Sequence, residues 1–214
     1  MKITKLIMIV LAFAGLSCNA TKITSSWKAA DLQTKPYYNV MVWGILPKSD
    51  STVRKQLETH MVNDLVENGY HAVSSIDVYQ AKAYEKSSGR DIVEEFKSTG
   101  VDAVITLVLL NKEKEEKYYP GGFFTKPVDT YGGIDKYYSQ AYERIFTPGY
   151  YISTTDYFWE ANLFEVVADK IVYSVRTRSF DPESTEILAH ENALKIMKDM
   201  LRKKVIIDQN STNK

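Results

Sequence analysis

Residues 39–46 read Asn-Val-Met-Val-Trp-Gly-Ile-Leu, and residues 101–110 read Val-Asp-Ala-Val-Ile-Thr-Leu-Val-Leu-Leu. Nearly continuous apolar runs of this length are typical of strands that are buried on both faces of a sheet. Pro47 ends the first run, because proline has no backbone N–H to donate to a neighbouring strand. The two runs therefore predict central strands. Four of their residues should be fully buried in adjacent or near-adjacent strands: Val40, Val42, Ile105 and Leu107.

Helical patterns lie between these two runs. A four-residue spacing predicts one buried helix face, and Gly69 follows it as a typical residue after a helix C-terminus. Residues 71–76 predict a short strand, and residues 77–86 and 90–99 predict helices, the second ending before Gly100. The face of the first helix should comprise Val53, Leu57, Met61 and Leu65. The resulting order β-α-β-α-β favours a parallel sheet with right-handed crossovers.

The flanking segments complete the predicted sheet. Residues 22–27 alternate apolar and polar side chains, which predicts a short edge strand. Residues 157–167 and 171–180 predict a hairpin, and residues 181–184 (Asp-Pro-Glu-Ser) cap a last helix. The apolar stripe of that helix should be Ile187, Leu194, Met197 and Leu201. We therefore predict an α/β fold, a two-layer or three-layer sandwich whose mostly parallel sheet is extended by a C-terminal antiparallel hairpin and a final helix.

The domain boundaries follow from the same patterns. We predict a signal peptide over residues 1–17, a lipid-anchored tether and edge strand over 18–38, and a single α/β domain over 39–208. Residues 118–156 form an aromatic-rich insertion in that domain, and residues 209–214 form a disordered tail.

The N-terminal residues have the layout of a secretory signal. Lys2 and Lys5 precede an apolar run over residues 6–13, and small residues follow. The run is too short to cross a bilayer, which takes about 20 apolar residues. A buried helix of the folded domain is the alternative interpretation, but the flanks and the position favour export.

Cys18 is the only cysteine in the chain, so it has no internal disulfide partner. The segment Gly15-Leu16-Ser17-Cys18 resembles the lipobox of bacterial lipoproteins, although that pattern usually has leucine where Gly15 stands. The resemblance implies lipid on Cys18, with acyl chains such as palmitate holding the mature protein on a membrane. We expect the outer membrane, facing the periplasm. Cleavage after Ala20, which would release a free periplasmic protein, is the alternative.

Charge argues against a nucleic-acid partner. The whole chain has 27 basic and 27 acidic residues. Without Lys2 and Lys5, 25 basic residues face 27 acidic ones, a net charge of −2. Nucleic-acid-binding proteins normally have a basic surface, so we expect no nucleic-acid partner.

Four segments carry a wider resemblance: residues 23–28 (Ile-Thr-Ser-Ser-Trp-Lys), 39–45, 100–106 (Gly-Val-Asp-Ala-Val-Ile-Thr) and 160–166 (Glu-Ala-Asn-Leu-Phe-Glu-Val). They resemble a group of uncharacterised bacterial envelope lipoproteins. More distantly, the order of elements is similar to that of periplasmic α/β domains of curli-secretion and penicillin-binding-protein-activator lipoproteins. The resemblance is made of fold-bearing positions, brings no catalytic residues, and does not decide function.

Patterns for catalysis, metals and cofactors are weak. The mature chain has no Gly-x-Ser-x-Gly elbow and no glycine-rich phosphate loop. His60, His71 and His190 lie in no recognisable motif, and structural or surface roles are expected for them. Glu113, Glu115 and Glu116 alternate with lysines, which is typical of a solvated face. We therefore predict no enzyme activity, no catalytic residues, no metal site and no cofactor.

Tyrosines and phenylalanines crowd into residues 118–157, among Gly-Gly pairs and prolines and without a clear helical or strand period. Tyrosine suits recognition surfaces because it joins a rigid apolar ring to a polar tip. About half of the rings should pack on the sheet and half should be available for contact; the alternative is that all pack inward. The candidate binding residues are Tyr131, Tyr137, Tyr138, Tyr142, Tyr150 and Tyr151.

The function expected is non-enzymatic: a membrane-anchored envelope lipoprotein that binds another protein or assembles into a complex. The first alternative is binding of a small molecule or glycan through residues 118–157, since tyrosine faces stack on sugar rings. The second is an envelope hydrolase without a recognisable motif. A concave polar pocket would favour a ligand, whereas an exposed aromatic patch would favour a protein partner.

Overall fold

The computed structural model describes residues 20–32, 36–79, 89–121 and 133–212. Cys18, the predicted signal peptide and Tyr131 lie outside the described residues, as does most of the helix predicted over residues 77–86. Within the described ranges, no helix has both the length and the apolar character needed to cross a membrane.

Six strands form one sheet in the order β1-β6-β5-β4-β2-β3. Their bounds are Thr21–Lys28 for β1, Asn39–Ile45 for β2, His71–Ser74 for β3, Ala103–Tyr119 for β4, Tyr150–Glu165 for β5 and Lys170–Phe180 for β6. The helices are Ser51–Glu67 (α1), Ser75–Tyr79 (α2), Gly89–Ser98 (α3), Ile134–Phe146 (α4), Thr185–Arg202 (α5) and Gln209–Thr212 (α6), with a 3-10 turn at Lys48–Asp50.

The parallel part of the sheet is the part that the apolar runs predict. β2 pairs in parallel with both β3 and β4, and Val42 lies opposite Ile105. Val40, Val42, Ile105 and Leu107 are buried, so the prediction of adjacent central strands is confirmed. β1 lies at one edge of the sheet, as predicted, and pairs antiparallel with β6. The end of β5 lies beside the start of β4, because the Val166 N–H donates to the Asp102 carbonyl at 3.0 Å.

Helices cover both faces of the parallel part. The predicted face of α1 (Val53, Leu57, Met61 and Leu65) joins Val40, Val42 and residues of α5 in the larger core. Met41 and Val104 point to the opposite face, where they cluster with Ile92 and Phe96 of α3. The predicted α/β fold is therefore confirmed, with three layers at the parallel strands, antiparallel strands beside them, and a final long helix.

Helix α1 ends where the glycine pattern predicts. Gly69 has a φ of +87°, a backbone conformation that costs residues with a Cβ atom much more than it costs glycine. The Gly69 N–H donates to the Val66 carbonyl at 2.9 Å, and the Tyr70 N–H donates to the Leu65 carbonyl at 3.0 Å. These bonds satisfy carbonyls of the last turn, which otherwise have no partner inside the helix.

Two predictions about elements are wrong. Of the stripe predicted for α5, only Met197 is buried, and Ile187 is exposed. The buried face consists of Leu188, Ala189, Asn192, Ala193, Ile196, Met197, Asp199 and Met200. Residues 118–156 are also more regular than predicted, because they contain the end of β4, all of α4 and the start of β5.

The chain forms two compact units. The main unit comprises Met1–Asn111 and Tyr157–Lys214, and the aromatic unit comprises Lys112–Asp156. The sequence places residues 209–214 in a disordered tail, whereas Gln209–Thr212 form the short helix α6 in the main unit. The Gln209 N–H donates to the Asn68 carbonyl at 3.0 Å, so α6 is bound to the end of α1.

Candidate binding surface on the aromatic unit

Five of the six candidate tyrosines lie in the described part of the aromatic unit. Tyr137, Tyr138 and Tyr142 belong to α4, and Tyr150 and Tyr151 begin β5. Their exposed fractions range from 49% to 68%. Both rings of Tyr137-Tyr138 and both of Tyr150-Tyr151 are exposed, so none of these five candidates belongs to the half of the rings expected to pack on the sheet.

Helix α4 presents an apolar face that the sequence analysis missed. Its apolar side chains recur at positions i, i+4, i+7, i+8, i+11 and i+12, which lie on one side of a helix. The most exposed are Ile134 (88%) and Ile145 (75%). We call this side the α4 face; it comprises Ile134, Tyr138, Ala141, Tyr142, Ile145 and Phe146.

Ring contacts along α4 join part of this face into one surface. The Tyr138 and Tyr142 ring centroids lie 6.0 Å apart, and those of Tyr142 and Phe146 lie 4.3 Å apart. Both pairs are four residues apart, so they are neighbours on the helix surface. The exposed rings therefore form a contiguous strip rather than isolated apolar residues.

Helix α4 is balanced in charge. Its sequence contains Asp135, Lys136, Glu143 and Arg144, two acidic and two basic residues that leave no net charge. Lys136 and Glu143 lie on the side opposite the α4 face. The helix is therefore amphipathic, and it carries no net charge that would attract a strongly charged surface.

Tyr150 and Tyr151 differ from the helical tyrosines in their contacts. The Tyr150 ring stacks on Tyr119 at 5.8 Å, and the Tyr151 ring lies 5.0 Å from Tyr118. Cross-strand aromatic pairs of this kind stabilise antiparallel strands. We therefore assign Tyr150 and Tyr151 a structural contribution to the pairing of β4 with β5, in addition to their exposed area.

Two glycines allow close approach between the end of β4 and the chain that follows α4. A Cβ atom at Gly121 would lie 1.8 Å from the Thr147 carbonyl oxygen, and one at Gly149 would lie 2.1 Å from the Tyr118 hydroxyl oxygen. Neither space admits a side chain. Of these contacts, the one at Gly121 is against backbone, which has little freedom to shift.

The histidines make local contacts in the main unit. His60 Nε2 lies 2.6 Å from Glu186 Oε1, and its ring lies 5.1 Å from that of His190. His71 Nδ1 lies 2.9 Å from Asn39 Oδ1. In the part of the chain that the structure describes, no group of three His, Cys, Asp or Glu side chains is arranged to hold a metal ion.

Two buried carboxylates in the main unit are surrounded by hydrogen-bond donors. Glu58 of α1 accepts from Arg54 Nε at 3.0 Å and from the Gly44 N–H at 2.8 Å. It also accepts from the Ser74 hydroxyl at 2.6 Å, from Ser75 and from the Ile76 N–H. These bonds connect α1 to the ends of β2 and β3, which is a structural role.

Asp199 of α5 is the second buried carboxylate. It accepts hydrogen bonds from Ser26, Arg202 and Tyr173, the last at 2.8 Å. Burial opposes ionisation of Asp199, but the three bonds outweigh it and hold the pKa of the carboxyl below its ordinary value of 3.8. Burial and the bond to Asp199 raise the pKa of the Tyr173 hydroxyl. Asp199 therefore fixes β1 and β6 to α5 as an anion.

No protein-family model matches the chain, and no curated protein matches it in sequence. Several solved structures are similar in architecture. The lipoprotein GNA1162 from Neisseria meningitidis is 15% identical with a TM-score of 0.43, covering 77% of this chain and 99% of its own. The PelC dodecamer from Paraburkholderia phytofirmans is 10% identical with a TM-score of 0.42, covering 83% and 96%.

A putative neuraminyllactose-binding hemagglutinin homolog from Helicobacter pylori is 11% identical with a TM-score of 0.37, covering 84% of this chain and 95% of its own. All three identities and TM-scores are low. The binding surface described above therefore rests on the residues of this chain alone.

Proposed function

We propose that this protein is a lipid-anchored envelope protein that binds another protein, without catalysis, through the α4 face. One observation carries the proposal: six apolar residues lie on one side of α4, and the five large ones, Ile134, Tyr138, Tyr142, Ile145 and Phe146, are more than half exposed. Single exposed apolar residues are normal on a protein surface, whereas a contiguous patch marks an interaction site.

The charge of α4 favours a protein over a bilayer as the partner. Helices that lie in a membrane interface usually carry lysine and arginine along the polar side, which anionic lipids attract. Here Asp135 and Glu143 offset Lys136 and Arg144. An apolar groove on another protein is the partner that such a helix fits, with anchors at i, i+4 and i+8.

The anchor in this proposal is lipid on Cys18, which would keep the protein on the outer membrane facing the periplasm. The short apolar N-terminal run and the lone cysteine at its end support it. The proposal that the protein acts without catalysis is supported by Glu58 and Asp199. The hydrogen bonds of these two buried carboxylates join helices to strands.

Site-specific photo-cross-linking in intact cells tests the protein partner. A photoreactive amino acid at position 145 lies on the α4 face, and one at position 136 lies on the polar side of the same helix as a control. We expect a defined protein adduct from position 145 and little or none from position 136. Equal yields from both positions, no adduct from position 145, or adducts to lipid alone would contradict the proposal.

Substitutions then test whether the tyrosines cause the binding. Replacing Tyr138 and Tyr142 together with serine should reduce the adduct from position 145 at least fivefold. The matched control replaces Lys136 and Glu143 with alanine, which alters the same helix without changing its net charge. Both variants should melt within a few degrees of wild type, because the replaced side chains lie at the surface. An unchanged adduct in the tyrosine variant would exclude this face.

A further inference from the structure

A pocket lies in the main unit between α3 and the face of the sheet opposite α1. Its volume is about 150 Å³, and its lining includes Trp43 of β2, Phe96 of α3 and Phe164 of β5. An apolar cavity of about this size accommodates a benzene-sized molecule. The pocket residues belong to the main unit and α4 belongs to the aromatic unit, so a ligand of the pocket does not depend on the proposed function.

Aromatic rings form the apolar walls of this pocket. The Trp43 and Phe96 rings meet edge to face, with centroids 5.6 Å apart and an angle of 75° between their planes. Phe164 supplies a third ring. The faces of such rings carry partial negative charge and attract cations placed within about 6 Å of their centroids.

Thr106 places one unused polar atom in the lining. Its side chain is buried, with 6% exposed, and the hydroxyl oxygen has no hydrogen-bond partner among the residues that the structure describes. Leaving a buried polar group unpaired costs about 1–3 kcal/mol. A ligand with a hydrogen-bonding atom at this position would remove that cost.

The charged groups of the lining are both acidic. Glu165 and Asp169 line the pocket, and the lining residues that the structure describes include no Lys, Arg or His. Glu165 Oε1 accepts a hydrogen bond from the Tyr37 hydroxyl at 3.1 Å. Burial and the neighbouring Glu165 side chain raise the pKa of the Tyr37 hydroxyl. An anionic ligand would therefore be repelled.

We infer that this pocket binds a small organic ammonium ion with a ring-sized apolar body. The ring lies among Trp43, Phe96 and Phe164, and the ammonium group lies toward Asp169 at the exposed edge of the pocket. The Thr106 hydroxyl completes the polar contacts. Size, aromatic lining and the sign of the charge each restrict the ligand independently.

Calorimetric titration of the purified full-length protein tests this site with three probes of similar size. Phenethylammonium carries the expected charge, 3-phenylpropionate carries the opposite charge, and ethylbenzene carries none. We expect saturable binding of phenethylammonium, at least tenfold tighter than that of 3-phenylpropionate. No binding of phenethylammonium, or equal binding of the two charged probes, would overturn the inference.

Variants show whether the binding takes place in this pocket. Val93→Trp adds volume at a partly exposed lining residue, so it should abolish binding while the melting temperature holds. Asp169→Asn should weaken phenethylammonium binding several-fold and leave ethylbenzene unaffected. Asp169 has a φ of +48°, which asparagine tolerates well. Glu183→Gln removes an exposed charge elsewhere and serves as the control.

Thr106→Val tests the hydroxyl with little change of shape. It should weaken phenethylammonium binding two- to fivefold and leave the melting temperature equal or higher, because it removes an unpaired buried polar group. Binding that survives Val93→Trp, or that responds equally to Glu183→Gln and Asp169→Asn, would show that the ammonium ion binds elsewhere and would refute the pocket.

Discussion

Glu58 and Asp199 show how single buried charges connect separate elements of this fold. Glu58 is fully buried on α1, yet its donors come from β2, β3 and α2 as well as from Arg54 of its own helix. Asp199 connects α5 to β1 and β6 in the same way. Each carboxylate is stabilised by partners that only the folded chain brings together.

Replacing Glu58 with alanine should destabilise the main unit strongly. The substitution leaves Arg54 and the Ser74 hydroxyl without their buried acceptor, and breaking a buried ion pair on one side typically costs about 3–5 kcal/mol. Urea unfolding followed by circular dichroism measures the loss. Glu67→Ala, which removes an exposed carboxylate from the same helix, should change stability by less than about 0.5 kcal/mol. Equal unfolding midpoints for the two variants would refute the role of Glu58.

Asp199 should make stability depend on pH in the acidic range. Its pKa is lower in the folded protein than the ordinary 3.8 of an unfolded chain. The unfolded chain therefore takes up its proton first as pH falls, so the contribution of Asp199 is present above pH 3.8 and is lost below it. The difference in unfolding midpoint between wild type and Asp199→Asn should be constant near neutral pH and shrink below pH 3.8. A difference that does not vary with pH would contradict this prediction.

At the scale of elements, α4 and α5 show how a helical pattern is misinterpreted. The largest apolar residues of α5 predict a single stripe, but α5 is covered both by the sheet and by α1. Small residues such as Ala189 and Ala193 are buried there, because they allow close approach of neighbouring elements. In α4 the apolar spacing is present in the sequence, but the surrounding glycines and prolines suggested an irregular segment.

Gly121→Ala should loosen the aromatic unit and leave the main unit folded. The new methyl group would overlap the Thr147 carbonyl, so the chain after α4 must move away from the end of β4. Hydrogen exchange should become faster in α4, while the main-unit strands keep their protection. Glu115→Ala, an exposed substitution in the same unit, is the control. Unchanged exchange in α4 would show that the close approach is not needed for its order.

At the scale of the whole molecule, the sequence predicts that one covalent attachment decides where the protein resides. Cys18→Ala should yield a protein without lipid, which no longer fractionates with membranes. Mass spectrometry of the N-terminal peptide measures the lipid directly, and membrane fractionation measures its consequence. Because Cys18 precedes β1, the melting temperature of the main unit should not change. An unlipidated N-terminus in wild-type protein would leave export as the only surviving part of this prediction.

Local patterns in the sequence predict the central strands, the face of α1, the C-terminal hairpin and an edge position for β1, and the structure confirms each of them. Each is a local signal, because long apolar runs, four-residue spacing and alternation follow from the geometry of one strand or helix. The exposed tyrosines Tyr137, Tyr138, Tyr142, Tyr150 and Tyr151 were likewise identified by composition alone.

Contacts between distant segments of the chain become visible only in the folded protein. The donors around Glu58, the three bonds to Asp199 and the pocket beside Thr106 join segments that are far apart in the chain. The folded chain also leaves the apolar side of α4 exposed, whereas the predicted apolar face of α1 is buried. A helical pattern specifies which side of a helix is apolar, but whether that side is covered depends on what the rest of the chain packs against it.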